Sequence, residues 1–95
     1  NRLVVDPGFG FGKTFEHNIQ LFKNLESFGS IGIPLLVGLS RKSFLGDIVG
    51  RDVNERLQAS VTAAVLAVKQ GANIVRVHDV TQTFDGLMTL RALSD

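Results

Sequence analysis

Ile33-Pro34-Leu35-Leu36-Val37-Gly38, followed after Leu39 by Ser40-Arg41-Lys42-Ser43, is a continuous apolar run that ends on a polar, basic cluster. A short run that is apolar on both faces reads as a buried strand, and Pro34 sits at its entrance, where a missing N–H matters least. The same unit recurs on either side. Upstream, Leu3-Val4-Val5 is a short apolar strand closed by Asp6-Pro7-Gly8. A helix is predicted to follow it, with Thr14 as cap, Phe15, Ile19, Phe22 and Leu25 along one face, and Gly29 as a left-handed stop. Downstream, a short helix over Phe44 to Val49 precedes a longer one, capped by Asn54, with Leu57, Val61, Ala64, Val65 and Val68 as its apolar face and Gly71 at its end. Asn73 to Val77 then reads as a third strand. Asp79 is placed to cap a last helix whose core side is Val80, Phe84, Leu87 and Met88.

The pattern is βαβαβα. Nearly continuous apolar strands alternating with amphipathic helices require an α/β fold with a parallel sheet covered by helices, which both a (β/α)8 barrel and a doubly wound sheet satisfy. No linker, low-complexity stretch or repeat interrupts the three units, so residues 1–95 are expected to belong to a single domain. Three parallel strands leave two edges unpaired, and Asn1 opens directly into a strand without an initiator methionine. The sequence is therefore expected to start mid-fold, as a piece of something larger.

With 44% hydrophobic and 20% charged residues the 95-residue chain has enough apolar surface to fold. Its net charge of +1 comes from basic residues spread along the chain, without the stripe that nucleic-acid binding needs. The absence of cysteine removes disulfides and thiolate metal sites and fits a reducing, cytoplasmic setting. The apolar runs fall far short of the roughly 20 residues that span a bilayer, so a soluble protein with neither nucleic acid nor membrane as partner is expected.

Each strand is followed at once by chemically able residues: Asp6, then Ser40, Arg41, Lys42 and Ser43, then Arg76, His78 and Asp79. These are carboxyl ends of parallel strands, the rim where barrels and open α/β sheets bind ligands. A single polar residue there is commonly a cap or a turn former; three clusters on one rim point to a site. Arg76 and His78 are two apart on a strand and so face the same side, a cation and an imidazole suited to an anion such as a diphosphate, although an internally paired arginine and a structural histidine fit the same spacing. Ser43 is placed as the N-cap of the short helix, where a carboxylate could be received beside Lys42; a capped basic helix start without a ligand reads equally well.

Asp6-Pro7-Gly8-Phe9-Gly10-Phe11-Gly12-Lys13-Thr14 ends like a phosphate loop, but Pro7 stands where that loop needs glycine. It reads instead as a glycine-rich wall that lets backbone and the rings of Phe9 or Phe11 approach a flat ligand, with core packing as the other role for both rings. His17 lies in the first turn of a helix and is assigned no chemistry. No His/Cys cluster marks a metal site in this chain, and no Ser-His-Asp order marks a hydrolase.

Asp6-Pro7-Gly8-Phe9-Gly10-Phe11-Gly12-Lys13, Ser40-Arg41-Lys42-Ser43 and Arg76-Val77-His78-Asp79 together resemble the three C-terminal signatures of dihydropteroate synthases, in order and spacing, and Gly38 and Glu55-Arg56-Leu57 also fit. The resemblance implies a partial (β/α)8 TIM barrel, strands six to eight with their helices. It implies condensation of 6-hydroxymethyl-7,8-dihydropterin diphosphate with 4-aminobenzoate to 7,8-dihydropteroate and pyrophosphate, a step of folate biosynthesis and the target of sulfonamides. By position, Asp6 resembles the carboxylate on the amino-pyrimidine edge of the pterin, Lys42 the lysine between both substrates, and Arg76 and His78 the diphosphate pocket. Gly10, Phe11 and Ser43 resemble parts of the substrate site, Phe11 and Ser43 on the aminobenzoate side. Mg²⁺ is implied, its ligand lying in earlier strands, as is a homodimeric full-length protein. A related pterin-binding methyltransferase family shares the barrel, and a non-catalytic paralogue is a third reading; the Ser-Arg-Lys-Ser and Arg-Val-His-Asp pair favours the synthase. The chain by itself is expected to be inactive.

Overall fold

The computed structural model describes residues 8–9, 14–29, 32 and 34–94. The strand expected at Leu3 to Val5 lies outside the described residues, as do Asp6, Gly10 and Phe11. The described elements run α1 (Phe15–Lys23), α2 (Leu25–Gly29), β1 (Leu36–Val37), α3 (Ser43–Val49), a 3-10 turn at Val53–Glu55, α4 (Leu57–Lys69), β2 (Ile74–Val75) and α5 (Val80–Leu93). The architecture is α/β and mostly helical.

Thr14 caps α1, its hydroxyl accepting the His17 amide at 3.2 Å. The single helix expected from Phe15 to Gly29 is broken at Asn24, whose side-chain amide donates to the Gln20 carbonyl at 2.8 Å and competes with the helix ladder. The break turns Leu25 fully inward while Phe15, expected in the core, stands 38% exposed. α2 includes Gly29 as its last helical residue.

β1 and β2 are parallel, with Leu36 opposite Ile74 and Val37 opposite Val75. The ladder is shorter than the apolar runs, because among the described residues each strand has one neighbour to pair with. Asn73 extends it: its amide donates to the Leu35 carbonyl at 2.8 Å, and its side-chain oxygen accepts the Leu35 amide at 2.9 Å. Alternation then sorts the side chains. Leu35, Val37 and Val75 face the helices, where Leu25, Phe44, Leu45, Ala63 and Ala67 close the core; Leu36 and Ile74 face the other way, and Ile74 is exposed.

Three expectations for the later helices are corrected. Asn54 falls inside the 3-10 turn, and Arg56 occupies the cap position of α4. The buried side of α4 is Ser60, Ala63, Ala64 and Ala67, small residues that let the helix lie close to the sheet, while Leu57, Val61, Val65 and Val68 are half-buried at its flanks. On α5 the inward side is Thr83 and Gly86: a Cβ on Gly86 would meet the Val65 Cγ2 at 2.9 Å. This close approach wins over the larger stripe, so Val80, Phe84 and Met88 point outward and only Leu87 is partly covered. Thr83 satisfies its hydroxyl on the Asp79 carbonyl at 2.7 Å.

The layer between sheet and helices rests on Leu35, which has no exposed surface. In a full-length protein carrying this chain, Leu35→Ala is expected to cost about 2–5 kcal/mol, the transfer loss plus an unfilled cavity. Urea denaturation measures it, and a loss under ~1 kcal/mol would contradict this placement of the core.

Candidate functional site

The parallel register sets Gly38, one step past β1, beside Arg76, one step past β2. Gly38 carries no side chain, and the Arg76 guanidinium lies across it: a Cβ there would meet the Arg76 Cζ at 2.9 Å. Two residues further on, Ser40 meets His78. The Ser40 Oγ accepts the His78 amide at 3.2 Å and lies 2.9 Å from the imidazole Nδ1. The Ser40 hydroxyl thus holds the imidazole through Nδ1, and Nε2 is the ring nitrogen left for a ligand.

Gly38, Ser40, Lys42, Arg76, Val77 and His78 line a pocket of about 230 Å³ at this rim. Four of the residues expected at the site, Ser40, Lys42, Arg76 and His78, are thus brought together. The pocket is small and lined by polar and apolar atoms alike. A larger apolar groove of about 410 Å³ runs among α1, α3 and α4, lined by residues such as Phe22, Phe44 and Leu66, on the helical side of the sheet and away from this chemistry.

Ser43 is not part of the pocket lining. Lys42, with φ −69° and ψ 149°, holds the cap position of α3 without a side-chain cap bond, and Ser43 is the first helical residue, exposed to solvent; the expectation of Ser43 as N-cap is corrected. The Lys42 main chain is extended here because the Leu39 carbonyl accepts its amide at 3.1 Å, closing a tight turn just before the helix. The Lys42 Nζ donates to the Phe9 carbonyl at 2.7 Å and so ties the glycine-rich segment to the rim. Sequence reasoning named both residues without linking them, because a main-chain acceptor leaves no residue-type signal.

Phe9 itself is core. It stacks on Phe44 at 5.9 Å between centroids and meets Phe22 edge-on at 6.2 Å, with 1% exposure. Arg41 faces away from the pocket and forms a two-pronged pair with Asp79, Nη2 to Oδ1 at 2.9 Å and Nε to Oδ2 at 3.4 Å. The Asp79 carboxylate therefore joins the loop after β1 to the loop after β2 and makes no side-chain cap bond to α5, although Asp79 does hold the cap position. Among the described residues no three His, Cys, Asp or Glu side chains gather as a metal cluster, and no helix is long and apolar enough to cross a membrane.

Residues 1–78 match the family model described as pterin binding enzyme. The chain is 47% identical over 93 residues to the dihydropteroate synthase of Haemophilus influenzae, covering 98% of this chain and 34% of that protein. It is 51% identical to that of Neisseria meningitidis serogroup C, covering 97% of this chain and 33% of the relative. Among solved structures, the dihydropteroate synthase of Stenotrophomonas maltophilia with imidazole bound in its active site superposes with a TM-score of 0.92 at 52% identity, over 95% of this chain and 34% of that one. The Xanthomonas albilineans enzyme in complex with 7,8-dihydropteroate gives 0.94 at 45% identity, over 97% of this chain and 36% of that one. The chain spans about a third of the length of the curated relatives it matches. It belongs to the family of pterin-binding enzymes, in which its matches are dihydropteroate synthases.

Proposed function

We propose that the chain is the C-terminal part of a single (β/α)8 domain, strands six to eight with their helices, of a dihydropteroate synthase. The observation that carries this reading is the joining of Arg76, His78 and Lys42 in one pocket at the ends of parallel strands. The names of the matched relatives support it, as do the X. albilineans structures with 7,8-dihydropteroate and with 4-aminobenzoic acid.

In this reading the aryl amine of 4-aminobenzoate attacks the methylene of 6-hydroxymethyl-7,8-dihydropterin diphosphate. A C–N bond forms, the C–O bond breaks well ahead of it, pyrophosphate leaves with the bonding pair, and the amine loses a proton. Negative charge grows on the leaving group, where the Arg76 guanidinium and the His78 Nε2 would hold it; such donors help most where charge develops. Gly38 leaves the guanidinium room to lie flat at the pocket. Lys42 would border both substrates from its anchor on the Phe9 carbonyl. Asp6, on the pterin edge, would stabilise the cationic pterin, while Gly10, Phe11 and Ser43 complete the substrate site, Phe11 and Ser43 toward 4-aminobenzoate. Mg²⁺ would take its ligands outside this chain. The full-length protein is read as a cytoplasmic homodimer and a sulfonamide target, a reading in keeping with the cysteine-free sequence and with the outward Val80, Phe84 and Met88 of α5.

Arg76→Ala or Lys42→Ala in the full-length protein is expected to lower kcat/KM at least about 100-fold, ~2.7 kcal/mol of transition-state stabilisation, with the circular dichroism spectrum unchanged. Turnover within about twofold of the parent would exclude the assigned roles. Sulfonamides are expected to compete with 4-aminobenzoate; inhibition that follows the pterin concentration alone would contradict the placement of Phe11, Lys42 and Ser43.

Gly38→Ala tests the pocket more finely. The added methyl meets only the end of a flexible side chain, so stability should barely change, while displacement of the guanidinium should raise KM for the pterin diphosphate by about fivefold. In an Arg76→Ala background the same change should add almost nothing, and additive losses would show that Gly38 acts elsewhere.

The 95-residue chain alone is expected to be inactive and to self-associate, since Ile74 is exposed and, among the described residues, each strand of the ladder has a single neighbour. Size-exclusion chromatography and a product assay decide this; a monodisperse, cooperatively melting, active monomer would overturn it.

A further inference from the structure

Arg41 is the one non-glycine residue with positive φ, 59°, among the described residues. It occupies the third position of the Leu39–Lys42 turn, where glycine or asparagine would adopt that conformation with less strain. A strained residue persists where its surroundings over-determine it. Here every polar group of Arg41 is held. Its amide donates to the Ser60 Oγ at 2.8 Å, its carbonyl accepts from the Arg56 Nη1 at 3.0 Å, and its guanidinium pairs with Asp79. Ser60 is 4% exposed in the first turn of α4, and Arg56 stands at the cap position of the same helix. Gly46 makes room for Arg56: a Cβ on Gly46 would meet the Arg56 Cζ at 2.9 Å, so α3 carries a poor helix former where the guanidinium passes.

Neither Ser60 nor Arg56 lines the pocket, yet the turn they grip carries two groups that do. Ser40 reaches His78 from one side of Arg41, and Lys42 reaches the Phe9 carbonyl from the other. We propose that Ser60 and Arg56 are positioning residues for the diphosphate pocket, holding Arg41 in its left-handed conformation so that Ser40 orients the His78 imidazole and Lys42 stays at the rim. The proposal rests on the reading of the pocket given above. If the Ser60 hydroxyl is lost, the Arg41 amide loses that acceptor and the turn relaxes toward negative φ, which carries Ser40 away from His78.

The test uses full-length wild-type, Ser60→Ala, Ser60→Thr and Ser60→Ala/Arg41→Gly proteins, with calorimetric titration by pyrophosphate and steady-state kinetics in both substrates. Ser60→Ala should weaken pyrophosphate binding and raise KM for the pterin diphosphate, each about tenfold. Ser60→Thr keeps the hydroxyl, and glycine at position 41 adopts the positive φ without help, so each should return both quantities to within about threefold of wild type. A merely structural role would not be rescued by a glycine in a different loop. Arg56→Leu, which removes the donor to the Arg41 carbonyl, should act in the same direction as Ser60→Ala and serves if Ser60→Ala does not fold. Wild-type values in both Ser60→Ala and Arg56→Leu, or a loss that neither rescue restores, overturn the positioning role. A wild-type protein that binds pyrophosphate but forms no dihydropteroate overturns the functional reading alone, because the titrations still decide the role of Ser60. One that binds no pyrophosphate overturns both.

Discussion

The Arg76 amide donates to the Val37 carbonyl at 2.9 Å, and the position of every group at the rim follows from that hydrogen bond. It fixes the parallel register in which Gly38 faces Arg76 and Ser40 faces His78. A slip of one residue would exchange the two faces of the sheet. Val37 and Val75 would leave the core, and Arg76 would point into Phe44 and Ala63. The apolar layer under the sheet therefore enforces the register, and the register assembles the site. Asn73 reinforces it from the other end by pairing both its amide and its side chain with Leu35.

Three glycines turn this frame into close contacts. Gly38 admits the Arg76 guanidinium, Gly46 admits that of Arg56, and Gly86 admits Val61 and Val65 of α4. Each is a place where one methyl group would push a neighbour by a few tenths of an ångström or more. Only the contact at Gly86 is apolar and sets the spacing of two helices. The other two lie on either side of the Ser40–Lys42 turn, so the side chains of Arg76, after β2, and Arg56, before α4, pass through gaps left just past β1 and in α3.

Much of this was legible in the sequence. The alternation of apolar runs with helical periodicity located the two described strands and the helices, apart from the break at Asn24 and the 3-10 turn at Val53–Glu55, and the polar residues after each run located the rim. What failed were choices between competing faces. Val80, Phe84 and Met88 outweigh Thr83 and Gly86 in hydrophobicity, yet small residues win when two helices can approach closely, a property of the pair and not of either sequence. The same holds for Ala63 and Ala67 against Val61 and Val65. Caps failed for a related reason: Ser43 and Asn54 are good cap residues, but the turn at Lys42 and the 3-10 turn before Arg56 set the helix starts through main-chain bonds. Arg41 was given no certain role because its partners, Ser60, Arg56 and Asp79, lie 15 to 38 positions away.

The distribution of charge around this turn divides its cations by task. Arg41, Lys42, Arg56 and Arg76 converge on a few residues, and bringing four positive groups together is unfavourable unless each is compensated. Arg41 is compensated by the Asp79 carboxylate, and Arg56 by the Arg41 carbonyl, with its Nε buried over α3 and, among the described residues, without a hydrogen-bond partner. Lys42 has the Phe9 carbonyl, a neutral acceptor, among its contacts. Arg76 has no carboxylate partner among the described residues, and its guanidinium lies at a pocket that also receives the imidazole of His78. Arg41 and Arg56 lie outside the pocket lining, whereas Lys42 and Arg76 belong to it. The Arg76 guanidinium thus brings to the pocket a positive charge that no carboxylate of the described residues offsets, which suits the diphosphate proposed above.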